Sequence, residues 1–308
     1  MMNLKELLKT VTTSRDTLPV ICGYSLFLTI CFGLFPKGLW GQGLCLAISA
    51  YLMVLLNNTY SLIRIYSRMV SSTFLVLSMM CPFLAGSMHG NLSTILFIAF
   101  YFLLFRTYQD HHAPGTVMYA FACLGIISTQ FIQITFLLPV VIPLLYSRMF
   151  AGNAKTLTAA FMGYLLPYWI WTGWALWHGT MAELGTHLMG IIDFDLSLHM
   201  PELHVLLSLL LLLALVIIST IQCLNDSAAD KIKTRMLFDA FIWIDVFAMA
   251  FLLLQPQHSD YLMRIIIVSS SPLIAHYFTL SEDGKVTPYV FIASIALIVS
   301  LTVYNIWM

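Results

Sequence analysis

The residues best suited to chemistry lie between positions 178 and 204, where acidic and histidine side chains occur without any lysine or arginine. Asp193 and Asp195 flank a single phenylalanine there. Two carboxylates at that spacing could share a divalent cation, or one could act as a general base. His199 is a candidate binding residue in the same stretch. The alternative interpretation is a solvated loop with interfacial polar residues, since the histidines match no zinc spacing.

Two tryptophans, Trp174 and Trp177, directly precede this acidic stretch. Indole rings at that place could stack on a sugar ring or contact an isoprenoid chain. The alternative is an aromatic belt, in which tryptophan side chains mark the level of the lipid headgroups. We therefore treat both residues as candidate binding residues.

Two cations stand apart from the other basic residues of the chain. Arg264 begins an apolar stretch, one helical turn after Asp260, so an ion pair with that carboxylate is one interpretation. Arg264 could instead bind an anionic headgroup such as a lipid phosphate, with Lys37 contributing from across the bundle. Arginine suits that role because its guanidinium group presents a planar fork of donors.

The deepest acidic residue is Asp245, well inside the apolar run from Leu237 to Leu254. An ionisable group at membrane depth costs roughly several kcal/mol unless it is paired or protonated, and by default it indicates function. Asp245 is therefore the candidate for a proton relay. The alternative is a hydrogen bond to Tyr, Trp or Ser on a neighbouring helix. Gln133 is likewise expected to join helices through a hydrogen bond.

The elements that position these residues must be transmembrane helices. Of the 308 residues, 60% are hydrophobic and only 9% are charged, with 14 Lys and Arg balancing 14 Asp and Glu. An ordinary soluble domain carries roughly 25% charged residues. The composition excludes a soluble enzyme, a nucleic-acid binder and a disordered chain, and it predicts an all-α polytopic transmembrane helical bundle.

Eleven apolar stretches qualify as spans, with 10 to 12 as the range, because a spanning helix needs roughly 20 mostly apolar residues. Their approximate bounds are 18–35, 39–57, 70–88, 92–105, 114–128, 131–146, 157–177, 203–222, 237–254, 262–279 and 286–307. The fifth and sixth stretches are short, and whether residues 114–146 cross the membrane twice stays open.

The basic residues orient these spans. With the N-terminus inside, 12 of the 14 Lys and Arg residues fall in inner segments, as the positive-inside rule requires. This pattern predicts an outer C-terminus and a multi-pass protein of the bacterial cytoplasmic (inner) membrane. Residues 1–16 are expected to form an amphipathic segment on the cytoplasmic surface. Residues 17–308 are expected to form one transmembrane domain, with an outer loop at about 178–202.

The chain resembles uncharacterised bacterial multi-span inner-membrane proteins in two features. One is the layout of the spans as short helical hairpins, and the other is the run from Gly125-Ile126-Ile127-Ser128 through Pro139 to Arg148. More distantly, they are similar to integral-membrane glycosyltransferases of the C-type fold, over about residues 20–180. That similarity implies a polyprenyl-phosphate-linked sugar as the substrate. The family usually places its catalytic carboxylate in the first outer loop, where this chain has Pro36-Lys37-Gly38. Either Asp193 or Asp195 has taken that role, or the chain is not a transferase.

Three functions follow as hypotheses. The first is handling of a lipid-linked sugar or envelope-glycan precursor at the outer face, where an enzyme would be a polyprenyl-phosphate-dependent, glycosyltransferase-like one. The second is proton-coupled transport of a small molecule through Asp245, and the third is a non-catalytic scaffold or subunit of an envelope complex. The expected partners are the lipid bilayer and a polyprenyl-phosphate-linked sugar, with no nucleic acid. The sequence leaves the cofactor, beyond a divalent cation, and the oligomeric state open.

Overall fold

The computed structural model describes residues 4–31, 40–192, 202–226, 230–280 and 286–307, which form thirteen α-helices and no strand. In chain order the helices are α1 (Leu4–Thr13), α2 (Thr17–Cys31), α3 (Trp40–Tyr60), α4 (Met69–Met80), α5 (Met88–Arg106), α6 (Pro114–Ser128), α7 (Leu138–Ser147), α8 (Ala154–His178), α9 (Met181–Met189), α10 (Leu203–Asp226), α11 (Ile232–Leu254), α12 (Ser259–Leu280) and α13 (Thr287–Trp307). Short 3-10 turns cover Pro82–Gly86, Ile132–Leu137 and Pro256–His258.

Each predicted apolar stretch contains an α-helix over most of its described residues, which confirms an all-helical bundle of membrane type. Six of the described helices (α3, α5, α10, α11, α12 with the turn before it, and α13) are long and apolar enough to cross a membrane. Four other apolar segments are shorter: α2, α4, α6, and the 3-10 turn Ile132–Leu137 together with α7. The count of eleven spans stays a prediction.

Proline explains why α4 is shorter than the predicted stretch 70–88. Pro82 has no N–H group and restricts the residue before it, so α4 ends at Met80 and the chain continues as the turn Pro82–Gly86. This early end leaves room for a buried side chain from α12, described below.

Helix α12 is the centre of the bundle. Every residue from Leu262 through Thr279 is buried, and α4, α5, α10 and α11 pack around the helix. A helix that is buried on all sides must satisfy its polar groups inside the protein. The polar side chains of α12 therefore indicate where polar groups and hydrogen bonds lie in the interior of the bundle.

The helices alternate in direction, so the bundle has two ends, which we call the Arg264 end and the Arg148 end. At the Arg264 end, the Asn305 amide donates to the Met80 carbonyl at 2.7 Å and joins α13 to α4. At the Arg148 end, the guanidinium of Arg148 lies 3.2 Å from the Asp239 carboxylate. Most described basic residues belong to segments at the Arg148 end.

The N-terminal amphipathic segment is present as α1 and is part of the bundle. Leu8 and Thr12 are buried where α1 packs against α12 and α13. Ser67, just before α4, donates a hydrogen bond of 2.7 Å to the Thr12 carbonyl. These contacts hold α1 at the Arg148 end.

Helices α6 and α8 pack backbone to backbone. A Cβ added at Gly163 would overlap the carbonyl oxygen of Met118, and one at Gly125 would overlap the carbonyl oxygen of Tyr164. Small residues permit such close approach between membrane helices, where packing replaces the hydrophobic effect as the source of affinity. The Tyr164 hydroxyl also lies 2.6 Å from Thr135 Oγ1, which ties α8 to the turn before α7.

Candidate functional site

The guanidinium of Arg264 is buried at the start of α12, with only 6% of the residue exposed. Its Nη1 donates to Asn91 Oδ1 at 2.8 Å. Its Nη2 donates to the Leu84 carbonyl and lies 3.2 Å from Asp260 Oδ1. The predicted ion pair with Asp260 is thus present, but it involves only one of the three guanidinium nitrogens, Nη2.

Gly90 makes room for this guanidinium in the first turn of α5. A Cβ at that position would lie 2.6 Å from both Cζ and Nε of Arg264. The Nε group is buried and has no hydrogen-bond partner among the described residues. A buried donor without a partner costs free energy, so a donor left over in this way points to a ligand or to water.

A cavity of about 50 Å³ adjoins Arg264. Its lining is polar on several sides and comes from five helices and the turn Pro82–Gly86; the polar lining residues are Thr29, Gln42, Ser49, Ser78, Asn91, Thr94 and Arg264. This volume admits a few water molecules or one small polar group, far less than the roughly 300–1,000 Å³ that a drug-sized ligand fills. The cavity fits a headgroup fragment rather than a whole substrate.

The outer wall of this cavity is made by α2 and α3. Both helices pack on α4, and over their described residues they scarcely pack on each other. Thr29 on α2 and Gln42 on α3 line the cavity from its two sides. Apolar side chains next to them, Phe27 and Leu44, are 62% and 66% exposed on the bundle surface. The cavity therefore lies behind the part of the bundle surface where α2 and α3 expose apolar side chains.

Asp245 lies in the interior beside the middle of α12. The residue is 1% exposed, and its Oδ1 accepts a hydrogen bond of 2.5 Å from Ser269 Oγ. Its Oδ2 and the fully buried hydroxyl of Tyr101 have no hydrogen-bond partner within the described ranges. The predicted alternative, a bond to a neighbouring serine, is present, and half of the carboxyl group is still unsatisfied.

The other predicted site residues lie apart from the Arg264 cavity or outside the described residues. Trp174 and Trp177 are 63% and 87% exposed on α8, and neither belongs to the described lining of the cavity. Trp174 stacks on His178, with ring centroids 4.0 Å apart. The remaining four, Lys37, Asp193, Asp195 and His199, lie outside the described residues.

Helix α9 occupies the first part of the predicted outer loop and is clamped onto the Arg264 end. His187 Nε2 lies 3.0 Å from the Ser128 carbonyl at the end of α6. The amide of Gln133 donates to the Gly190 carbonyl at 3.4 Å, an inter-element contact of the kind expected for it. Leu184 is buried beneath the helix.

Sequence reasoning found Asp260 as a partner of Arg264, but it missed the other groups around the guanidinium and a second buried polar pair. Asn91 and Gly90 carry no signal by themselves, because neither residue type is unusual at the start of a helix. His276 is 1% exposed in α12, and its Nε2 lies 2.7 Å from Asp230 Oδ2. The rule that singled out Asp245, an ionisable residue inside an apolar helix, would also have found His276.

No group of three or more metal-binding side chains is found within the described ranges. The long apolar helices and the continuous buried core define the class as a helical membrane protein. Comparisons of the chain with protein-family models, curated proteins and solved structures give no match. The resemblance to C-type glycosyltransferases therefore rests on sequence pattern alone.

Proposed function

We propose that this is a multi-pass inner-membrane protein that handles a lipid-linked sugar or envelope-glycan precursor by binding its phosphate group at the Arg264 cavity. The observation that carries the proposal is a buried guanidinium with an unused Nε donor beside a small cavity, whose wall combines apolar surface with seven polar residues. Arginine next to such a space is suited to a phosphate, because charge-assisted hydrogen bonds to phosphate are strong and directional.

The size and position of the cavity favour a lipid over a soluble anion. A space of about 50 Å³ leaves the rest of the ligand outside. The exposed apolar side chains of α2 and α3 beside the cavity suit the hydrocarbon region, where a polyprenyl or acyl chain would stay in the bilayer. A phosphate at the polar end of such a chain would reach Arg264 without removing the chain from lipid.

The proposal places the Arg264 end outside and the basic Arg148 end in the cytoplasm, in keeping with the positive-inside rule. Asp193 and Asp195 keep their proposed role as a general base or divalent-cation site, and Trp174, Trp177 and His199 remain proposed sugar-contacting residues. Lys37 is proposed as a second phosphate contact. If the protein transfers a sugar, that chemistry would take place at this end of the bundle.

Filling the cavity should remove the lipid without disturbing Arg264. Gly43 lines the cavity, and a Cβ there would meet no atom within 4 Å, so Gly43→Leu should fold and place its side chain in the space. We expect native mass spectrometry in mild detergent to show a retained polyprenyl-phosphate or phosphate-bearing glycolipid on the wild type and at least a tenfold lower occupancy on this variant.

The matched control is Gly23→Leu on α2, where a Cβ also meets nothing within 4 Å and the residue is exposed. Its lipid occupancy should equal that of the wild type. Arg264→Lys tests the donor fork, since lysine keeps the charge but not the bidentate geometry. A wild-type protein that retains only bulk phospholipid, or equal occupancy in Gly43→Leu and Gly23→Leu, would refute the proposal.

Proton-coupled transport is the second candidate, favoured by the unsatisfied Oδ2 of Asp245 in the bundle interior. A carboxyl group that is buried and half-satisfied can exchange a proton with little change in its hydrogen bonds. Tyr101 and Ser269 supply hydroxyl groups beside it that could hold water for that exchange.

Asp245→Asn should abolish this transport, because an amide cannot carry the proton. Proteoliposomes would be given a proton gradient and a mixture of low-mass metabolites, and the accumulated solutes would be identified by mass spectrometry. We expect at least one solute to accumulate with the wild type and with Asp110→Asn, an exposed carboxylate at the Arg148 end. Accumulation that persists in Asp245→Asn, or none with the wild type, would argue against transport.

A further inference from the structure

A second cavity, with a volume of about 670 Å³, lies at the Arg148 end of the bundle. Its walls are the end of α3 and the chain that follows it, residues 57–67, together with the first residues of α11 and Asp230 before them. The lining is polar and carries three cations, Arg64, Lys231 and Lys233. This site shares no lining residue with the Arg264 cavity.

The lining carries three cations and a single carboxylate, that of Asp230. None of its three cations forms an ion pair with a described acidic residue. Lys233 is instead held by aromatic rings, with its Nζ 5.6 Å from the centre of Tyr60 and 5.7 Å from that of Tyr108. The one acidic lining residue, Asp230, is engaged by His276.

The N-terminus of α11 adds hydrogen-bond donors to the same cavity. The first N–H groups of a helix have no partner within the helix, and the N-cap residue Lys231 provides no side-chain bond to them. Such a terminus is a site for anions, because the N–H groups and the helix dipole both favour negative charge. Helix α11 has 23 residues, so its dipole is fully developed.

Asn57 is a further polar group at the wall. The residue is 8% exposed, and its Nδ2 donates to the Ser67 carbonyl at 2.9 Å. Its Oδ1 is buried and finds no partner in the described parts of the chain. Asn57 therefore adds a polar amide to the wall beside the cations and the helix terminus, with its Oδ1 buried within that wall.

We infer that this cavity at the Arg148 end is a second binding site, for a phosphate-bearing ligand held by Arg64, Lys231, Lys233 and the N-terminus of α11. Its volume lies within the roughly 300–1,000 Å³ of small-molecule sites, so it can enclose a whole headgroup or phosphate ester. The phosphate could belong to an anionic lipid or to a soluble molecule. The inference is independent of the Arg264 site, because the two cavities lie at opposite ends of the bundle.

Two measurements on the full-length protein test the site and distinguish these sources. Isothermal titration in a phosphate-free maltoside detergent measures affinity for inorganic pyrophosphate. Native mass spectrometry after delipidation measures phosphatidylglycerol that is retained from nanodiscs of phosphatidylcholine and phosphatidylglycerol. The variants are Arg64→Gln and Lys233→Gln, and the control is Lys155→Gln, an exposed lysine at the same end that does not line the cavity.

We expect each cavity variant to bind about tenfold more weakly than the wild type, a typical loss for one charge-assisted contact. Lys155→Gln should stay within about twofold of the wild type. Weakened pyrophosphate binding identifies a soluble phosphate ester as the ligand class, and weakened retention of phosphatidylglycerol alone identifies a lipid headgroup. Binding of neither probe by the wild type, or equal losses in Lys155→Gln, would overturn the inference.

Discussion

Gly90→Ala is expected to destabilise the protein by about 2–3 kcal/mol, the upper part of the range for overpacking a buried site. The new Cβ would lie 2.6 Å from Cζ and Nε of Arg264, so the guanidinium must move. The side chain is flexible, but it is held by Asn91, Asp260 and the Leu84 carbonyl, and those bonds are lost as it moves. Thermal unfolding in detergent should show a midpoint lower by at least about 4 °C.

The control for this prediction is Gly86→Ala, at the same end of the bundle, where a Cβ meets no atom within 4 Å. Its unfolding midpoint should match that of the wild type. If Gly90→Ala acts through Arg264, the double variant with Arg264→Gln should be no less stable than Arg264→Gln alone. Additive losses in the double variant would show that Gly90 matters for some other reason.

Gly163→Ala is expected to destabilise the protein by about 3 kcal/mol. Alanine favours a helix over glycine by about 1 kcal/mol, so propensity alone would raise stability. The added methyl group, however, meets the backbone carbonyl of Met118 on α6, which cannot move aside as a side chain can. Overpacking costs typically 1–3 kcal/mol and more when backbone must shift, so we expect the clash to win. Gly125→Ala should behave in the same way through the carbonyl of Tyr164.

Each variant of this pair has a control on its own helix. A Cβ at Gly173 on α8 or at Gly115 on α6 meets nothing within 4 Å. Gly173→Ala and Gly115→Ala should therefore leave the unfolding midpoint unchanged or raise it slightly. Equal midpoints for Gly163→Ala and Gly173→Ala would mean that α6 and α8 are not packed as closely as described.

The alternation of helix direction links the fold to both cavities. Because neighbouring spans reverse, the end of α3 meets the start of α11, and the starts of α5 and α12 meet at the opposite end. A chain with one span fewer in its middle would place Arg264 among the basic residues of the Arg148 end. The separation of one buried arginine from most other cations is thus a consequence of topology.

The sequence by itself predicted the class of protein and the helices, because both depend on local composition. A 308-residue chain with 9% charged residues cannot cover a soluble surface, and runs of about 20 apolar residues read directly as helices. Arg264 and Asp245 could be singled out for the same reason, since each is a charge within an apolar run. The sequence also identified Asp260 as a partner of Arg264, because the two residues are one helical turn apart, whereas for Asp245 it indicated only the residue types of a partner.

Only the tertiary structure decided which groups meet. Arg264 and Asn91 are 173 residues apart in the chain, and Asn57 and Asp230 are similarly distant. The periodicity of the sequence does not predict contacts between residues so far apart. The structure also decided that α12 is buried on every side, which apolar composition cannot reveal, since lipid-facing and protein-facing residues are equally apolar. In a membrane bundle, hydrophobicity shows that a helix lies in the membrane but not which of its faces contacts other helices. Close packing and hydrogen bonds between distant segments determine where the sites form.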